Sequence, residues 1–419
     1  MLKKLKPKSE FSKNVLTLMT GTTIAQAIPI AISPILTRIY TPEDFGIFAL
    51  FMALVGMFSS IASGRYELAL LLPKKDEDAF NILVLSFIII CILSFLLLIG
   101  ILFLHDSIIS LLQNDAISIW LYFIPLALFL VGSFNLLTYY NNRKNMYRDI
   151  AQATIVKSLV LVVVQLGIGS LKSGVSGLVS GQIISQAFAN VKLIKNVFSR
   201  RFFNAISFIK MLALARKYKN FPKFQAPHAF LNTLSSSAPI YFFTIFLTSS
   251  VVGLFSLSTK IVLTPLMILS SATAKVYNQK VSMLFYKKLD CYTFTLKLLY
   301  SLVKKILLPF IVFIFFAPDI FTFLFGLEWR EAGVYTQILS PWLFMVFLVG
   351  SVSYIPSLLS LQKRAFILEI IYTFLRISSL FLGLYFFDIY YALIFFSSIG
   401  FLMLSYNLYW MLHSLKEIQ

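Results

Sequence analysis

Apolar stretches of about 20 residues recur along almost the whole chain, and this recurrence constrains the fold more than any other feature. A membrane-spanning helix needs about 20 mostly apolar residues. The composition, 59% hydrophobic and 13% charged, leaves no stretch long enough for a soluble domain. We therefore predict an all-α integral membrane protein with twelve transmembrane helices, at 12–36, 45–72, 79–104, 117–140, 149–169, 174–195, 226–247, 250–273, 294–317, 334–361, 364–386 and 389–412.

The basic residues lie mainly in every second connection between these spans. If the N-terminus is cytoplasmic, 27 of the 36 Lys and Arg residues face the cytoplasm, and only Arg38, Lys172 and Arg330 face the other side. Basic loops are retained in the cytoplasm during insertion, so we expect both termini to be cytoplasmic. The net charge of +19 is then a property of membrane topology and does not indicate a nucleic-acid partner.

One long basic connection divides the spans into two sets of six. We predict an N-terminal six-helix lobe at 1–195, a basic cytoplasmic connector at 196–225 and a C-terminal six-helix lobe at 226–419. The simplest interpretation of the connector is a basic tether that satisfies the positive-inside bias. Alternatively, 205–218 forms an amphipathic helix on the inner leaflet, with Lys210, Arg216 and Lys217 on its polar face. Its apolar face would place Ile206, Ile209 and Leu212 or Ala213 on the inner leaflet.

The two halves also share short sequence matches. The tetrapeptide AIPI at 27–30 returns as SAPI at 237–240, and FGIFAL at 45–50 returns as VGLFSL at 252–257. Six spans return the chain to the side from which it started, so the second half begins in the orientation of the first. We therefore expect a parallel repeat, with a pseudo-two-fold axis along the membrane normal.

Cations inside the predicted spans are the candidate functional residues. A charge at the centre of a span costs at least about 2.5 kcal/mol, so it should face protein or water. We expect Lys157, Lys260 and Arg376 to point into a shared hydrated cavity. Each shares a helical face with polar or small neighbours: Thr154 and Gln165 for Lys157; Ser256, Thr259, Thr264 and Ser271 for Lys260; Glu369, Tyr372, Thr373 and Gly383 for Arg376.

The second predicted span contains a further cation, Arg65. In a continuous helix Glu67 cannot face Arg65, because residues two apart point in different directions. Glu67 would instead join a stripe of small residues, opposite to Arg65. Snorkelling or a structural ion pair is an alternative role for each of these cations. Glu67 and Glu369 are candidates for coupling to H⁺ or Na⁺, or they only balance a nearby arginine.

A cavity with excess positive charge favours an anionic headgroup such as a pyrophosphate. Polar side chains suit the hydroxyls of a glycan, and a prenyl tail can remain in the lipid. These features predict a flippase that moves a diphosphate-linked oligosaccharide from the inner to the outer leaflet. Moving two negative charges outward across 100 mV, inside negative, releases about 4.6 kcal/mol. The sequence has no GxxxxGK[ST] loop for ATP.

A motif near the N-terminus resembles a known family. The segment LTRIYTPEDFGIFAL at 36–50, followed by SGRYELALLLPKKDEDA at 63–79, is similar to the opening of bacterial O-antigen flippases, in the multidrug/oligosaccharidyl-lipid/polysaccharide exporter superfamily. The resemblance implies alternating access in the bacterial inner membrane, with an undecaprenyl-pyrophosphate-linked O-antigen or capsule repeat unit as substrate. Whether the protein acts alone or beside a polysaccharide polymerase stays open. Arg65 is the only candidate residue within the motif.

Other functions stay open at this stage. A multidrug exporter or a lipid-linked peptidoglycan precursor exporter of the same superfamily would share most of these membrane and cavity features. A membrane polysaccharide polymerase or ligase would need a large outward loop, and the longest one predicted here is 318–333. The histidines His105, His228 and His413 are scattered without ligand spacing, so we expect no metal site. We also expect no cofactor and no enzymatic activity.

Overall fold

The computed structural model describes residues 10–171, 174–197 and 206–417. The basic leader at 1–9, Lys172 and part of the predicted connector lie outside these residues. The described part is helical. In chain order the helices are α1 (Glu10–Ile39), α2 (Pro42–Ser59), α3 (Tyr66–Ala69), α4 (Asp76–Leu112), α5 (Ser118–Leu121), α6 (Ile124–Arg143), α7 (Tyr147–Gly169), α8 (Ser176–Ile194), α9 (Phe208–Lys217), α10 (Ala226–Phe246), α11 (Ser249–Tyr286), α12 (Cys291–Phe315), α13 (Ala317–Phe325), α14 (Arg330–Val352), α15 (Ile355–Leu358), α16 (Gln362–Phe386) and α17 (Ile389–Glu417).

Each of the twelve predicted spans corresponds to one long helix in the described ranges, which confirms the all-α membrane fold. Ten of these helices are long and apolar enough to cross a membrane. The other two, α8 and α10, are long enough but more polar. Helix α8 buries Gln182, Ser185 and Gln186 against its neighbours, so its low hydropathy reflects polar packing inside the bundle.

The chain divides into two compact units, Met1–Val252 and Gly253–Gln419. Helix α10, which we predicted to open the second lobe, lies within the first of these units and packs against α2. The lobe boundaries predicted from the sequence stay a prediction. The repeated hexapeptides occupy equivalent places, because each begins at the fourth residue of its helix, at Phe45 in α2 and at Val252 in α11.

The turn between α1 and α2 folds as its sequence predicts. The hydroxyl of Thr41 accepts a hydrogen bond from the Asp44 amide at 3.2 Å, and the Asp44 carboxylate accepts one from the Thr41 amide at 3.0 Å. Pro42 takes the first position of α2, where its missing N–H costs nothing. This reciprocal capping fixes the point at which the chain re-enters the helical bundle.

Tyr40, beside this turn, joins α1 to α7 and α8. Its hydroxyl donates to the backbone carbonyl of Gln165 at 2.6 Å. The ring packs against Gly169 and Gly177, and a Cβ atom on either glycine would collide with it. Burial, together with the nearby Asp44 carboxylate, raises the pKa of Tyr40 to about 12, so the hydroxyl stays a neutral donor at ordinary pH.

The second predicted span, 45–72, is not one continuous helix. Helix α2 ends at Ser59, and the chain turns before α3 begins at Tyr66. Gly64 and Arg65 both adopt the left-handed conformation, with φ of +60° and 62°. Glycine accepts this conformation without strain, whereas arginine does not. The prediction of a single helix was therefore wrong at this point.

The predicted amphipathic helix is present as α9, and it packs against α4. Its buried residues are Met211 and Leu214. The residues predicted to face the leaflet are exposed, with Ile209 exposed by 80% and Leu212 by 44%. This helix therefore has two apolar faces, one against protein and one open to its surroundings.

Three polar contacts fix α9 to the rest of the first unit. The Ser207 amide donates to Asn81 Oδ1 at 2.9 Å, and Lys210 Nζ lies 3.5 Å from Glu77 Oε2. Tyr66, at the start of α3, donates to the carbonyl of Ala215 at 3.0 Å. The connector helix is thus attached to the segment that follows the broken span.

In the second unit, close backbone contacts bring α14, α16 and α17 together. A Cβ atom on Gly383 would lie 2.4 Å from Ala392 Cα, so α16 and α17 touch at backbone level. Helix α14 packs against α17 and also against α13. The predicted loop at 318–333 therefore contains a helix, because α13 occupies its first part.

Candidate functional site

Arg376, near the middle of α16, lies inside a box of three aromatic rings. Its guanidinium carbon is 4.2 Å from the ring centroid of Phe396, 4.8 Å from that of Trp342 and 4.9 Å from that of Tyr372. We call these three rings and Arg376 the aromatic box. Cation–π attraction is stronger away from water, so the box stabilises a charge that would otherwise be costly in a membrane helix.

The rings of the aromatic box also support each other. Trp342 Nε1 donates to the Tyr372 hydroxyl at 2.9 Å, and the Trp342 and Phe396 rings meet edge to face at 5.1 Å. Gly400 follows Phe396 by one turn on α17, and a Cβ atom there would lie 2.5 Å from Trp342 Cδ1. Glycine at position 400 therefore lets the indole ring approach α17 and reach Arg376.

Rings that pack against a guanidinium group cover its flat faces and leave its edge, where the N–H groups point, uncovered by the rings. Arg376 Nε is buried and has no hydrogen-bond partner, so its N–H is a donor that the protein itself leaves unused. Glu369, two turns earlier on the same helix, is exposed, and its carboxylate acts electrostatically on Arg376. The predicted polar face of α16 is thus present, and Tyr372 on that face contacts the cation directly.

Lys260 lies on α11 in the same unit as Arg376. Its side chain is exposed, and no ion-pair partner for it is found among the residues described. The neighbouring hydroxyls of Thr259 and Thr264 donate to carbonyls of their own helix. Lys260 therefore has no carboxylate partner among the described residues.

Lys157 lies on α7 in the first unit. Its ammonium group is 5.1 Å from the centroid of the Phe134 ring on α6. Like Lys260, it makes no ion pair with any described residue. Gln165, predicted on the same face, is buried, and its amide donates to the Leu178 carbonyl at 3.3 Å, so it is used in packing α7 against α8.

Arg65 and Glu67 form an ion pair, contrary to the prediction that they face opposite sides. Arg65 NH1 lies 3.4 Å from Glu67 Oε1, and Ser63 donates its hydroxyl to the other oxygen of Glu67. The break in the helix allows this contact, since residues two apart face each other only outside regular helical geometry. Arg65 Nε is left without a hydrogen-bond partner.

Of the six candidate residues, the structure brings Arg65 together with Glu67 and places Glu369 on the helix of Arg376. Arg65 and Lys157 belong to the first unit, whereas Lys260 and Arg376 belong to the second. The shared cavity for all four cations stays a prediction.

Sequence reasoning missed Trp342 and Phe396, which complete the aromatic box. They lie on α14 and α17, and helical periodicity within α16 contains no information about them. A weak signal was available for one of them: Trp342 is one of only four tryptophans, and it lies inside a predicted span directly after Pro341.

Comparison with known proteins identifies the family and the fold. A family model described as polysaccharide biosynthesis protein matches residues 35–334. No curated protein matches the chain. Among solved structures, an outward-facing multidrug resistance MATE transporter of the MOP superfamily has a TM-score of 0.58 at 16% identity, with 97% of this chain and 96% of that chain covered.

Two further solved structures agree with this result. An inward-facing multidrug resistance MATE transporter has a TM-score of 0.55 at 16% identity, covering 97% of this chain and 95% of that one. A MOP-superfamily transporter from Pyrococcus furiosus, described as having a binding pocket of reverse polarity, has a TM-score of 0.56 at 15% identity, covering 97% and 96%. The chain therefore belongs to the polysaccharide biosynthesis protein family and has the fold of the MOP-superfamily transporters, which confirms the resemblance noted in its opening residues.

Proposed function

We propose that this protein is a flippase, not an enzyme, and that it moves a polyprenyl-diphosphate-linked oligosaccharide from the inner to the outer leaflet of the bacterial cytoplasmic membrane. The family match supports a role in making polysaccharide. The fold supports alternating access, since solved relatives of this fold are described in inward-facing and outward-facing conformations. The resemblance of the opening residues to O-antigen flippases implies that the lipid carrier is undecaprenyl pyrophosphate, with an O-antigen or capsule repeat unit attached.

The single observation on which the proposal rests is the aromatic box. A guanidinium group held by three rings has little rotational freedom left to lose when it binds a ligand. Its edge has an unpaired N–H at Nε, and arginine donors match the oxygens of a phosphate well. Arg376 is therefore organised in advance to bind one phosphate of the diphosphate.

The other cations would hold the rest of the headgroup. Lys157 and Lys260 have no carboxylate partner among the residues described, so their ammonium groups are not used in an ion pair within the described part of the protein. Arg65 is partly neutralised by Glu67 at 3.4 Å. We assign Arg376 to a phosphate of the headgroup and Arg65 to a site where the lipid first enters, and we keep Lys157 and Lys260 as candidate headgroup cations, each within its own unit.

The two carboxylates differ in what they contact. Glu67 is buried and bound by Ser63 and Arg65, which favours a structural ion pair. Glu369 is exposed on the face of α16 that leads to Arg376. We therefore propose Glu369 as the group that couples transport to H⁺ or Na⁺. The membrane potential, inside negative, also favours the outward movement of the negatively charged headgroup.

The direction of transport and the location follow from charge. The basic connections would hold both termini in the cytoplasm. The substrate would then be loaded from the inner leaflet, where the lipid-linked unit is assembled, and released outside to a polysaccharide polymerase.

Arg376→Ala in a strain that depends on this protein for surface glycan tests the proposal. Loss of a charge-assisted phosphate contact should lower surface glycan by more than about tenfold, with lipid-linked oligosaccharide accumulating at unchanged membrane levels of the protein. Arg376→Lys should retain part of the activity, because it keeps the charge but loses the fork of donors.

The matched control is Lys305→Ala, which removes an exposed cation from α12 and should leave surface glycan unchanged. Normal glycan in Arg376→Ala would contradict the proposal. The lipid that accumulates should be identified by its mass. A peptidoglycan precursor would indicate an exporter of that precursor. If no lipid-linked glycan accumulates and the protein exports a cationic dye, it is a multidrug exporter of this fold.

A further inference from the structure

A groove in the first unit lies beside the broken span. It has a volume of about 450 Å³, within the range of small-molecule sites. Three segments form it: the break, with Ile61 and Gly64; the middle of α4, with Ile92 and Leu96; and the chain entering α10, with Pro222 and Phe230. The residues that line it are apolar, so the groove suits a hydrocarbon chain.

The groove is open at the surface of α4, a helix that is apolar enough to span the membrane. On this helix Ile92 is exposed by 54% and Leu96 by 56%. A chain could therefore enter sideways from the bilayer. It would not need to cross a polar surface.

The wall of the groove at the break contains a glycine. Gly64 has no side chain, and its φ of +60° strains any other residue. A Cβ atom at this position would lie 3.7 Å from Pro222 Cβ, which is ordinary van der Waals contact, so the break and the chain entering α10 meet closely here. The left-handed conformation, not lack of space, is what favours glycine at position 64.

A cation directly follows this glycine in the chain. Arg65 pairs with Glu67 through NH1, while its Nε has no hydrogen-bond partner. Arg65 does not line the groove, but it is bonded to Gly64, which does. An apolar groove with an arginine next to one of its lining residues matches an amphiphile with a long hydrocarbon chain and a phosphate headgroup. A diphosphate, with two negative charges, matches this arginine better than a headgroup with a single charge.

We propose that the groove binds the isoprenoid chain of a polyprenyl diphosphate, with the diphosphate at the Arg65 end. This assignment rests on the proposed function, because that function supplies the diphosphate lipid. It makes Arg65 and the groove a lateral entry site for the lipid.

Photocrosslinking of the full-length protein in nanodiscs tests the assignment. The probe is a polyprenyl diphosphate with a diazirine in its chain, and adducts are mapped by peptide mass. Adducts should fall on the peptides that contain Ile92, Leu96 and Phe230. Unlabelled polyprenyl diphosphate in excess should reduce these adducts by about tenfold, whereas excess phosphatidylglycerol should not.

Ile92→Trp and Leu96→Trp fill the groove and should reduce the adducts by about tenfold. Phe103→Trp is the matched control, since Phe103 lies on the same helix, is exposed by 84% and does not line the groove. Equal competition by phosphatidylglycerol would overturn the proposal in favour of an ordinary acyl chain. Adducts spread equally to the peptide containing Phe103 would also overturn it.

Transport measurements separate this proposal from the flippase function. If the wild type transports lipid-linked oligosaccharide but the groove shows no competed adducts, the entry site is wrong and the function stands. If the groove shows competed adducts but the wild type transports no lipid-linked oligosaccharide, the site is right and the proposed function is wrong.

Discussion

The hydroxyl of Tyr66 donates a hydrogen bond to the backbone carbonyl of Ala215 at 3.0 Å. This bond joins the segment after the broken span to helix α9, which is far away in sequence. Leu214, next to Ala215, packs into the apolar cluster that contains Tyr66. In its C-terminal half the connector helix is therefore held by the Tyr66 hydrogen bond and by apolar packing, in addition to the polar contacts of Ser207 and Lys210 at its start.

Tyr66→Phe should loosen α9 without unfolding the protein. The substitution keeps the ring in the apolar cluster and leaves the Ala215 carbonyl without this donor, at a cost of about 1 kcal/mol. Hydrogen exchange of the amides in Phe208–Lys217 should become faster by about fivefold. Tyr218→Phe is the control, because Tyr218 also packs against the cluster. Equal exchange rates in wild type and Tyr66→Phe would show that the Tyr66 hydrogen bond does not contribute to holding α9.

Tyr40→Phe should destabilise the contact between α1 and α7 by about 1 kcal/mol, through loss of the 2.6 Å bond to the Gln165 carbonyl. Because the folded pKa of Tyr40 is raised to about 12, its contribution is fully present below the ordinary tyrosine pKa and is lost only as pH rises through the folded value. The difference in Tm between wild type and variant should therefore be constant from about pH 6 to about pH 9. A difference that changes across this range would argue against the assignment.

Gly400→Ala should disturb the aromatic box. The added methyl group would lie 2.5 Å from Trp342 Cδ1, so the indole ring must move away from Arg376. We expect a shift in tryptophan fluorescence and a loss of transport of about tenfold, since overpacking a tight site costs about 1 to 3 kcal/mol. Gly100→Ala is the matched control, because a Cβ atom there meets nothing within 4 Å. Full transport by Gly400→Ala would mean that the position of Trp342 is unimportant.

Glu67→Gln should reduce stability and leave ion coupling intact. The substitution removes the carboxylate charge beside Arg65, and breaking such a pair costs about 3 kcal/mol when the partners are buried. Arg65→Gln combined with Glu67→Gln should cost less than the two single changes added together. Thermal unfolding measures both quantities.

Glu369→Gln should abolish the dependence of transport on an H⁺ or Na⁺ gradient, which transport at several imposed gradients measures. If Glu67→Gln instead loses the gradient dependence while its stability is unchanged, Glu67 is the coupling group.

The sequence predicted the number, order and type of the long helices, because hydropathy reports directly on what a bilayer requires. It predicted the ends less well, since a helix can continue beyond the apolar stretch. Helix α11 was expected to end at residue 273 and continues to Tyr286, through Lys275 and Lys280. The break at Gly64 was missed because its small residues also fit a helix-packing stripe.

For the candidate site, the cation and its helix were predictable and its surroundings were not. Periodicity placed Arg376 and Tyr372 on one face, and the structure confirms their contact. Trp342 and Phe396 come from other helices, and their approach depends on Gly383 and Gly400. Such contacts between helices have no periodic signature in a single sequence.

The length of α11 has a practical consequence for imaging. Its 38 residues correspond to about 57 Å of helix, while the hydrocarbon core of a bilayer is about 30 Å thick. Its charged last third would then emerge from a detergent belt as a rigid rod. That rod is a natural attachment point for a rigid fusion partner or an antibody fragment, which a membrane protein of 47.6 kDa needs for particle alignment by electron microscopy.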